Sequence, residues 1–242
     1  MIKRNENTAE LVGLSFGDGS FTSRKEKDLL RFQLRGNASE DKKHYDGFII
    51  PLFNKEVMAP LFNRNVATIC DKKGNCFGIS LESKKIQVLN SFLGIPIGIK
   101  NNLHIPEWIK SSVEYQRAFL RGIFDTDGCI YFLKNNTEKN PQFHKRVCIT
   151  ITLCSELLIQ EISNILKGFQ IGHDIREYTP KNRKWQKSYT IRLAGGKRVS
   201  KWFKDIGSNN PKHITKFEIW KRFGFCNPRT TLKERESILR SN

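Results

Sequence analysis

The chain has 242 residues, 38% of them hydrophobic and 11% aromatic, and carries a formal net charge of +18 from 42 Lys and Arg against 24 Asp and Glu. The length allows one large domain or two of about 100 to 120 residues, and the apolar content excludes a disordered chain, while no run is apolar over the ~18 residues that a membrane span requires. The positive charge points to a polyanionic partner and grows along the chain, with 17 basic and 12 acidic residues through Lys110 against 25 and 12 beyond it.

The first seven residues lack the apolar stretch and small-residue cleavage site of a signal peptide. The expected location is therefore intracellular, in a prokaryotic cytoplasm or an organelle. Thr8 is placed to cap a helix over residues 9–16, which Asp18-Gly19 ends. Residues 20–24 and 29–35 predict a hairpin whose second arm alternates Leu30, Phe32 and Leu34 with Arg31, Gln33 and Arg35. Ser39-Glu40-Asp41 signals a helix carrying Tyr45, Phe48, Ile49 and Leu52 to about Asn54, and a second helical stretch follows over residues 56–62. Residues 66–70 and 76–81 predict another hairpin, and a helix over residues 84–93 closes the half.

After a linker over residues 99–106 the same order begins again. Residues 114–124 read as its first helix, and residues 128–133 and 146–153 as a hairpin around the polar loop 135–142. Ser155 caps a helix over residues 157–169. Residues 175–178 and 188–193 form the other hairpin, around a basic loop, and residues 197–206 close the unit, with a tail helix over residues 215–223. The predicted fold class is α+β: two pseudo-symmetric αββαββα units, residues 1–106 and 107–242. Among six cysteines there is no CxxC pair with zinc-site spacing. Cys129, Cys148 and Cys154 lie in apolar runs and read as buried thiols. Cys70 and Cys76 bracket a turn that a disulfide could close.

One phrase occurs twice at a spacing of 109 residues: Leu11-Val12-Gly13-Leu14-Ser15-Phe16-Gly17-Asp18-Gly19 and Leu120-Arg121-Gly122-Ile123-Phe124-Asp125-Thr126-Asp127-Gly128. A glycine inside a helix costs about 1 kcal/mol in propensity, so Gly13 and Gly122 imply a close helix crossing that repays it. Gly17 and Thr126 extend the small surface by one turn. Such a crossing brings Asp18 and Asp127 together, and two adjacent carboxylates repel unless a divalent cation lies between them. That arrangement suits metal-assisted phosphodiester hydrolysis.

With these two motifs the chain resembles the LAGLIDADG homing endonucleases in their single-chain, two-motif form. The resemblance runs from about Thr8 to Phe223. The first copy departs from the pattern by placing Phe16 where the family has its inner Asp, a position that caps and packs. The resemblance implies that each unit presents a saddle-shaped antiparallel sheet to the DNA major groove while the motif helices form the interface. It implies Asp18 and Asp127 as metal ligands, with Gly17 and Thr126 beside them in the metal site. Mg2+ is the expected cofactor, with Mn2+ or Ca2+ able to occupy the same sites. It implies a monomer that cuts both strands of an asymmetric double-stranded DNA target of roughly 20 bp, about two duplex turns, and leaves short 3′ overhangs. An RNA maturase acting on intron RNA, or a DNA-binding regulator that does not cleave, is the alternative on the same fold.

A two-stranded ribbon fits the major groove, and the polar strand positions carry side chains suited to base edges. The candidates are Ser20, Thr22, Arg24, Arg31, Gln33 and Arg35 in the first half, and Tyr131, Thr150, Thr152, Arg176, Tyr178, Tyr189 and Arg192 in the second. The loop residues Lys181, Arg183, Lys184 and Lys187 are assigned to the DNA backbone. The family places a basic residue beside each metal-bound carboxylate. Lys100 and Lys212 occupy similar places at the ends of the two halves and are nominated, with Lys216 in reserve. Trp202 and Trp220 fall at helical core spacing, and Trp185 is the tryptophan placed to stack on a base.

Overall fold

The computed structural model describes residues 1–24, 29–71, 73–133, 146–182 and 185–241. Helix α1 (Glu6–Asp18) starts earlier than expected because Asn5 is its cap: the Asn5 side chain accepts from the Thr8 backbone N–H at 2.8 Å, and the Thr8 hydroxyl accepts from the Asn5 N–H at 3.0 Å. Thr8 is the third helical residue and completes a capping box.

Strand β1 (Gly19–Arg24) follows directly and pairs antiparallel with β2 (Leu29–Asn37). With β3 (Thr68–Cys70) and β4 (Cys76–Ser83) they form a sheet of order β1-β2-β4-β3. The second sheet, from β5 (Gly128–Leu133), β6 (Arg146–Leu153), β7 (Asp174–Tyr178) and β8 (Ser188–Ala194), repeats that order as β5-β6-β8-β7. The identical order shows the duplication that the two motifs announce. In both sheets one face is core: Phe21, Leu30, Phe32, Leu34 and Ile79 in the first, Ile130, Ile149, Ile151, Ile191 and Leu193 in the second.

Between the hairpins of the first unit, α2 (Lys42–His44), α3 (Ile50–Phe53) and α4 (Ala59–Phe62) run on through two π-helical turns, Tyr45–Ile49 and Asn54–Met58. Each π turn precedes a proline, Pro51 or Pro60, and widening the turn accommodates a ring that lacks an N–H and would otherwise strike the preceding carbonyl. The two separate helices expected here are thus one continuous rod. Helix α5 (Ile86–Leu93) ends at Gly94 in a left-handed cap, and α6 (Glu107–Lys110) leads to α7 (Val113–Asp127), capped by Ser112.

The second unit continues through α8 (Glu156–Gly168), capped by Ser155 as expected, and α9 (Gly196–Asp205). Helix α10 (Pro211–Phe223) starts four residues before its expected position, with Asn210 as cap and Pro211 in its first turn. A further helix that the sequence reading omitted, α11 (Leu232–Arg240), begins with a Thr231–Glu234 capping box and buries Leu232 and Arg235.

Helices α1 and α7 cross at Gly13 and Gly122. A β-carbon at Gly13 would overlap the Phe119 carbonyl oxygen, and one at Gly122 the Glu10 carbonyl oxygen. Phe16 packs edge-on against Phe119 at 5.5 Å between ring centroids. Glu10, buried at the same crossing, accepts from the Arg121 guanidinium at 2.6 Å and from Asn209 Nδ2 at 2.6 Å. Apolar contact and a charged pair therefore both join the units. Cys148 and Cys226 are buried, but Cys129 and Cys154 are exposed, contrary to expectation: alternation along β5 turns Cys129 off the core face, and Cys154 lies in the bend just past the end of β6. Cys70 and Cys76 are exposed free thiols, and Cys70 lies opposite Phe77. Trp202 is fully buried and Trp220 packs on the core. Among the described residues no helix is long and apolar enough to cross a membrane.

Candidate active site and nucleic-acid interface

Pairing register decides which strand residues share the outer face. Ser20 lies opposite Gln33, Thr22 opposite Arg31, and Arg31 and Gln33 in turn face Glu82 and Ser80. Arg24 and Arg35 have the same parity, so all six first-half candidates lie on one polar face. It is already internally bonded: the Arg31 guanidinium donates to Glu82 at 2.8 Å, and Gln33 donates to the Ser80 hydroxyl at 3.3 Å. In the second sheet Tyr131, Thr150, Thr152, Arg176, Tyr178 and Arg192 form the matching face, joined there by Thr190 and Ser188.

Tyr189 is not part of that face. It alternates with Ser188 and Thr190, is 8% exposed, and its hydroxyl donates to Glu156 at 2.7 Å. The strand period of two sends it to the core side with Ile191. Lys181 and Lys187 are exposed beside the β7–β8 loop, where Lys187 pairs with Glu177 at 2.7 Å; Arg183 and Lys184 lie outside the described residues, as do residues 134–145 of the polar loop. Trp185 is 69% exposed.

The carboxylates of Asp18 and Asp127 meet where α1 and α7 end, since each helix stops at its motif Asp and hands over to a strand. Burial pushes the Asp18 carboxyl up to about 7, with the negative charges of Asp127 and Asp41 adding to it and Lys212 and Lys100 opposing it. Asp127 is raised too, chiefly by burial, against the same two lysines. Both nominated lysines are thus brought to the aspartates. Lys100 donates to the Phe16 and Gly17 carbonyls at 2.8 and 2.5 Å, and burial lowers its ammonium. Lys212 pairs with Asp41 at 2.8 Å. The reserve, Lys216, has Cys129, Glu40 and Arg235 as its charged surroundings and does not join the site.

Gly17 serves the crossing, where a β-carbon would overlap the Thr126 hydroxyl, and the Thr126 hydroxyl donates back to the Gly122 and Ile123 carbonyls at 3.1 Å. Gly17 offers a metal only its backbone carbonyl, which already accepts from Lys100, and the Thr126 hydroxyl, its proton committed to those carbonyls, offers only lone pairs. Among the described residues no group of three or more His, Cys, Asp and Glu side chains converges on a metal-sized gap. The donor set is two carboxylates. Hard oxygen anions that burial and mutual repulsion destabilise fit a Mg2+-like ion, which keeps several waters. A cavity of about 310 Å³ opens beside Asp127, lined also by Gly17, Lys100 and Gln186, with room for such a hydrated ion and for a phosphate oxygen.

The inner Asp125 of the second motif is structural. It is buried and accepts from the Ser208 hydroxyl and, at 2.8 Å, from the Asn209 N–H, which holds the turn before α10. Two residues of the site escaped the sequence reading. Tyr45, expected only as core, donates its hydroxyl to Asp18 at 3.4 Å. Asp41, expected only as a helix start, makes no capping bond; it accepts instead from the Asn37 N–H, Asn210 Nδ2 and Lys212. No local pattern marks either residue, because their partners come from elements distant in sequence.

Residues 114–207 match the model of the LAGLIDADG-like domain. No curated protein sequence matches the chain. With its two motif helices crossed between two sheets of identical order, the chain has the two-unit LAGLIDADG fold, and its second unit carries the family's domain. Among solved structures it is similar to mesophilic variants of the homing endonuclease I-DmoI (16% identity, TM-score 0.56, covering 83% of this chain and 90% of that one). A complex of I-DmoI with DNA and Mn gives 16% identity and a TM-score of 0.53, over 84% of this chain and 96% of that one. The LAGLIDADG homing endonuclease I-GzeII, in complex with its DNA target, gives 10% identity and a TM-score of 0.57, over 99% and 94%. At these identities the likeness establishes the fold.

Proposed function

We propose that the chain is a site-specific, divalent-metal-dependent DNA endonuclease that acts as a monomer on an asymmetric duplex. The observation that carries this reading is the convergence of Asp18, Asp127, Lys100 and Lys212 at the junction between two polar, basic-bearing sheet faces. A single chain supplies two different sheets, so its two half-sites differ. Asp18 and Asp127 hold the metal, most simply Mg2+, and when bound it supplies Lewis-acid activation of the phosphodiester and of the attacking water.

The chain's own residues do the rest. The strand faces fix the register of the duplex, and Arg31, Arg176 and Arg192 offer donors to phosphates and base edges. Lys100 and Lys212, one for each strand, place positive charge where the phosphorane becomes more negative than the ground-state diester. Tyr45 donates to Asp18 and keeps that carboxylate oriented.

The test is cleavage of a randomised duplex library with Mg2+, Mn2+ or EDTA, using the unaltered protein beside Asp18→Asn and Asp127→Asn. Metal-dependent double-strand cuts at one recurring site, lost in either variant, are expected. Tight binding of one DNA sequence, or of structured intron RNA, without any cut would overturn the reading in favour of a regulator or a maturase.

A further inference from the structure

The two halves of the site are not equivalent, and the difference lies in how each lysine is held. Phe16 and Gly17 of the first motif correspond to Asp125 and Thr126 of the second. Lys100 donates to the Phe16 and Gly17 carbonyls. In the other half the Asp125 carbonyl is taken by Asn210 Nδ2 at 2.9 Å, and Lys212 reaches across the unit boundary to the carboxylate of Asp41. Asp41 stands immediately before the first helix after β2; the corresponding residue after β6 is Ser155, a neutral cap whose hydroxyl bonds Leu158 and Leu103. One lysine therefore has a carboxylate anchor and the other has none at that place.

Asp41 is itself held. It is 7% exposed, and its two oxygens accept from the Asn37 N–H at 3.0 Å, Asn210 Nδ2 at 3.0 Å and Lys212 at 2.8 Å. Such a saturated carboxylate orients a neighbour and has little left for a metal. Its chain neighbour Glu40 is clasped by the last helix: Arg235, with its side chain 1% exposed, donates to Glu40 at 2.8 Å and to Thr215 at 3.0 Å, and the Leu232 N–H donates to the other Glu40 oxygen at 3.2 Å. Lys43 adds a pair with Glu236 at 2.5 Å. Helix α11 from the end of the chain thus pins the turn of the first unit that presents Asp41.

We infer that Asp41 is a positioning residue for Lys212, held in place through the Arg235–Glu40 clasp, and that it governs cleavage of one DNA strand and not the other. The inference rests on the endonuclease reading and assigns this role to residues outside the proposed metal ligands and strand-face contacts. Ammonium groups that must meet a developing charge lose effectiveness when free to wander, so the anchor acts by geometry.

The experiment follows each strand separately in single-turnover cleavage of the selected target, both strands end-labelled. Lys212→Met identifies the strand that Lys212 serves, and Lys100→Met identifies the other. Asp41→Asn is expected to slow the Lys212 strand about 10-fold, leaving the other strand within about twofold and duplex affinity unchanged. Asp41→Asn combined with Lys212→Met should be no slower than Lys212→Met alone. Glu40→Gln and Arg235→Met should slow the same strand by less, and they keep the test open should Asp41→Asn fail to fold. Equal slowing of both strands, or none, overturns the positioning role; absence of any cut by the unaltered protein removes the endonuclease reading instead, and the inference with it.

Discussion

Gly13 on α1 presses directly on the backbone of Phe119 on α7: a single β-carbon there would overlap the Phe119 carbonyl oxygen. Backbone cannot give way as a flexible side chain can, so a methyl group at this point must push the helices apart. Gly13→Ala is expected to destabilise the protein by about 3 kcal/mol despite the better helix propensity of alanine. Gly168→Ala, where a β-carbon meets nothing within 4 Å, is the control and should be near neutral. Urea unfolding of the two variants checks the contrast, and an equally stable Gly13→Ala would contradict the close crossing.

The carboxylates at the foot of that crossing are costly to keep ionised. The Asp18 carboxyl rises from 3.8 to about 7 on folding, so the native state holds a proton that the unfolded chain releases between those values, and stability falls as pH rises through that window. Asp18→Asn removes the titration. In EDTA the variant should match the unaltered protein near pH 4 and exceed it increasingly up to pH 7, by no more than about 4 kcal/mol. Thermal melts across pH measure the gap. Added Mn2+ should raise the Tm of the unaltered protein and leave the variant almost unmoved, by mass action on a site that only one of them has.

Much of the fold was legible because its signals are local. Alternation in Leu30, Phe32 and Leu34 gave the hairpin, and the repeated Gly and Asp gave the crossing and the paired carboxylates. What escaped depends on distant partners or on weak local cues. Tyr189 was assigned to the DNA face beside Arg192, although an odd spacing of three places them on opposite faces of one strand. Helix α11 carried a Thr-x-x-Glu start in Thr231 and Glu234, but its short amphipathic face shows its purpose only when Arg235 meets Glu40. Asp41 looked like an ordinary helix start, and nothing near it in sequence announces Lys212. The site's two aspartates could be read from the chain, whereas the groups that hold its lysines could not.

Glu10 and Arg121 form the polar half of the crossing. Glu10 is 3% exposed and accepts Arg121 Nε at 3.0 Å and its terminal nitrogen at 2.6 Å. Arg121→Met leaves a buried carboxylate without its counter-charge and should cost about 3 kcal/mol, more than a surface pair could. Glu10→Gln in the same chain should recover about 1 to 2 kcal/mol of that loss, a coupling that a double-mutant cycle in urea reads directly. Additive losses would mean that the pair contributes nothing as a pair.

Arg192 and Tyr189 provide the sharpest comparison on β8, one of the strands proposed to read DNA. Arg192 lies between Thr150 and Asp174 on the outer face, bonded to Asp174 at 3.4 Å, with its buried Nε lacking a partner. The part of this side chain that remains exposed, 17%, is suited to a phosphate or a guanine edge. Arg192→Ala should weaken duplex binding about 10-fold, and if the contact is to phosphate it should flatten the dependence of log Kd on log salt by about one charge. Loss of affinity with an unchanged slope would mark a base contact, with relaxed selection at one target position. Tyr189→Phe removes only the hydroxyl bonded to Glu156 beneath the sheet, so its affinity, salt slope and target selection should equal those of the unaltered protein. If Tyr189→Phe weakened binding as much as Arg192→Ala, the face assignment drawn from the strand register would be wrong.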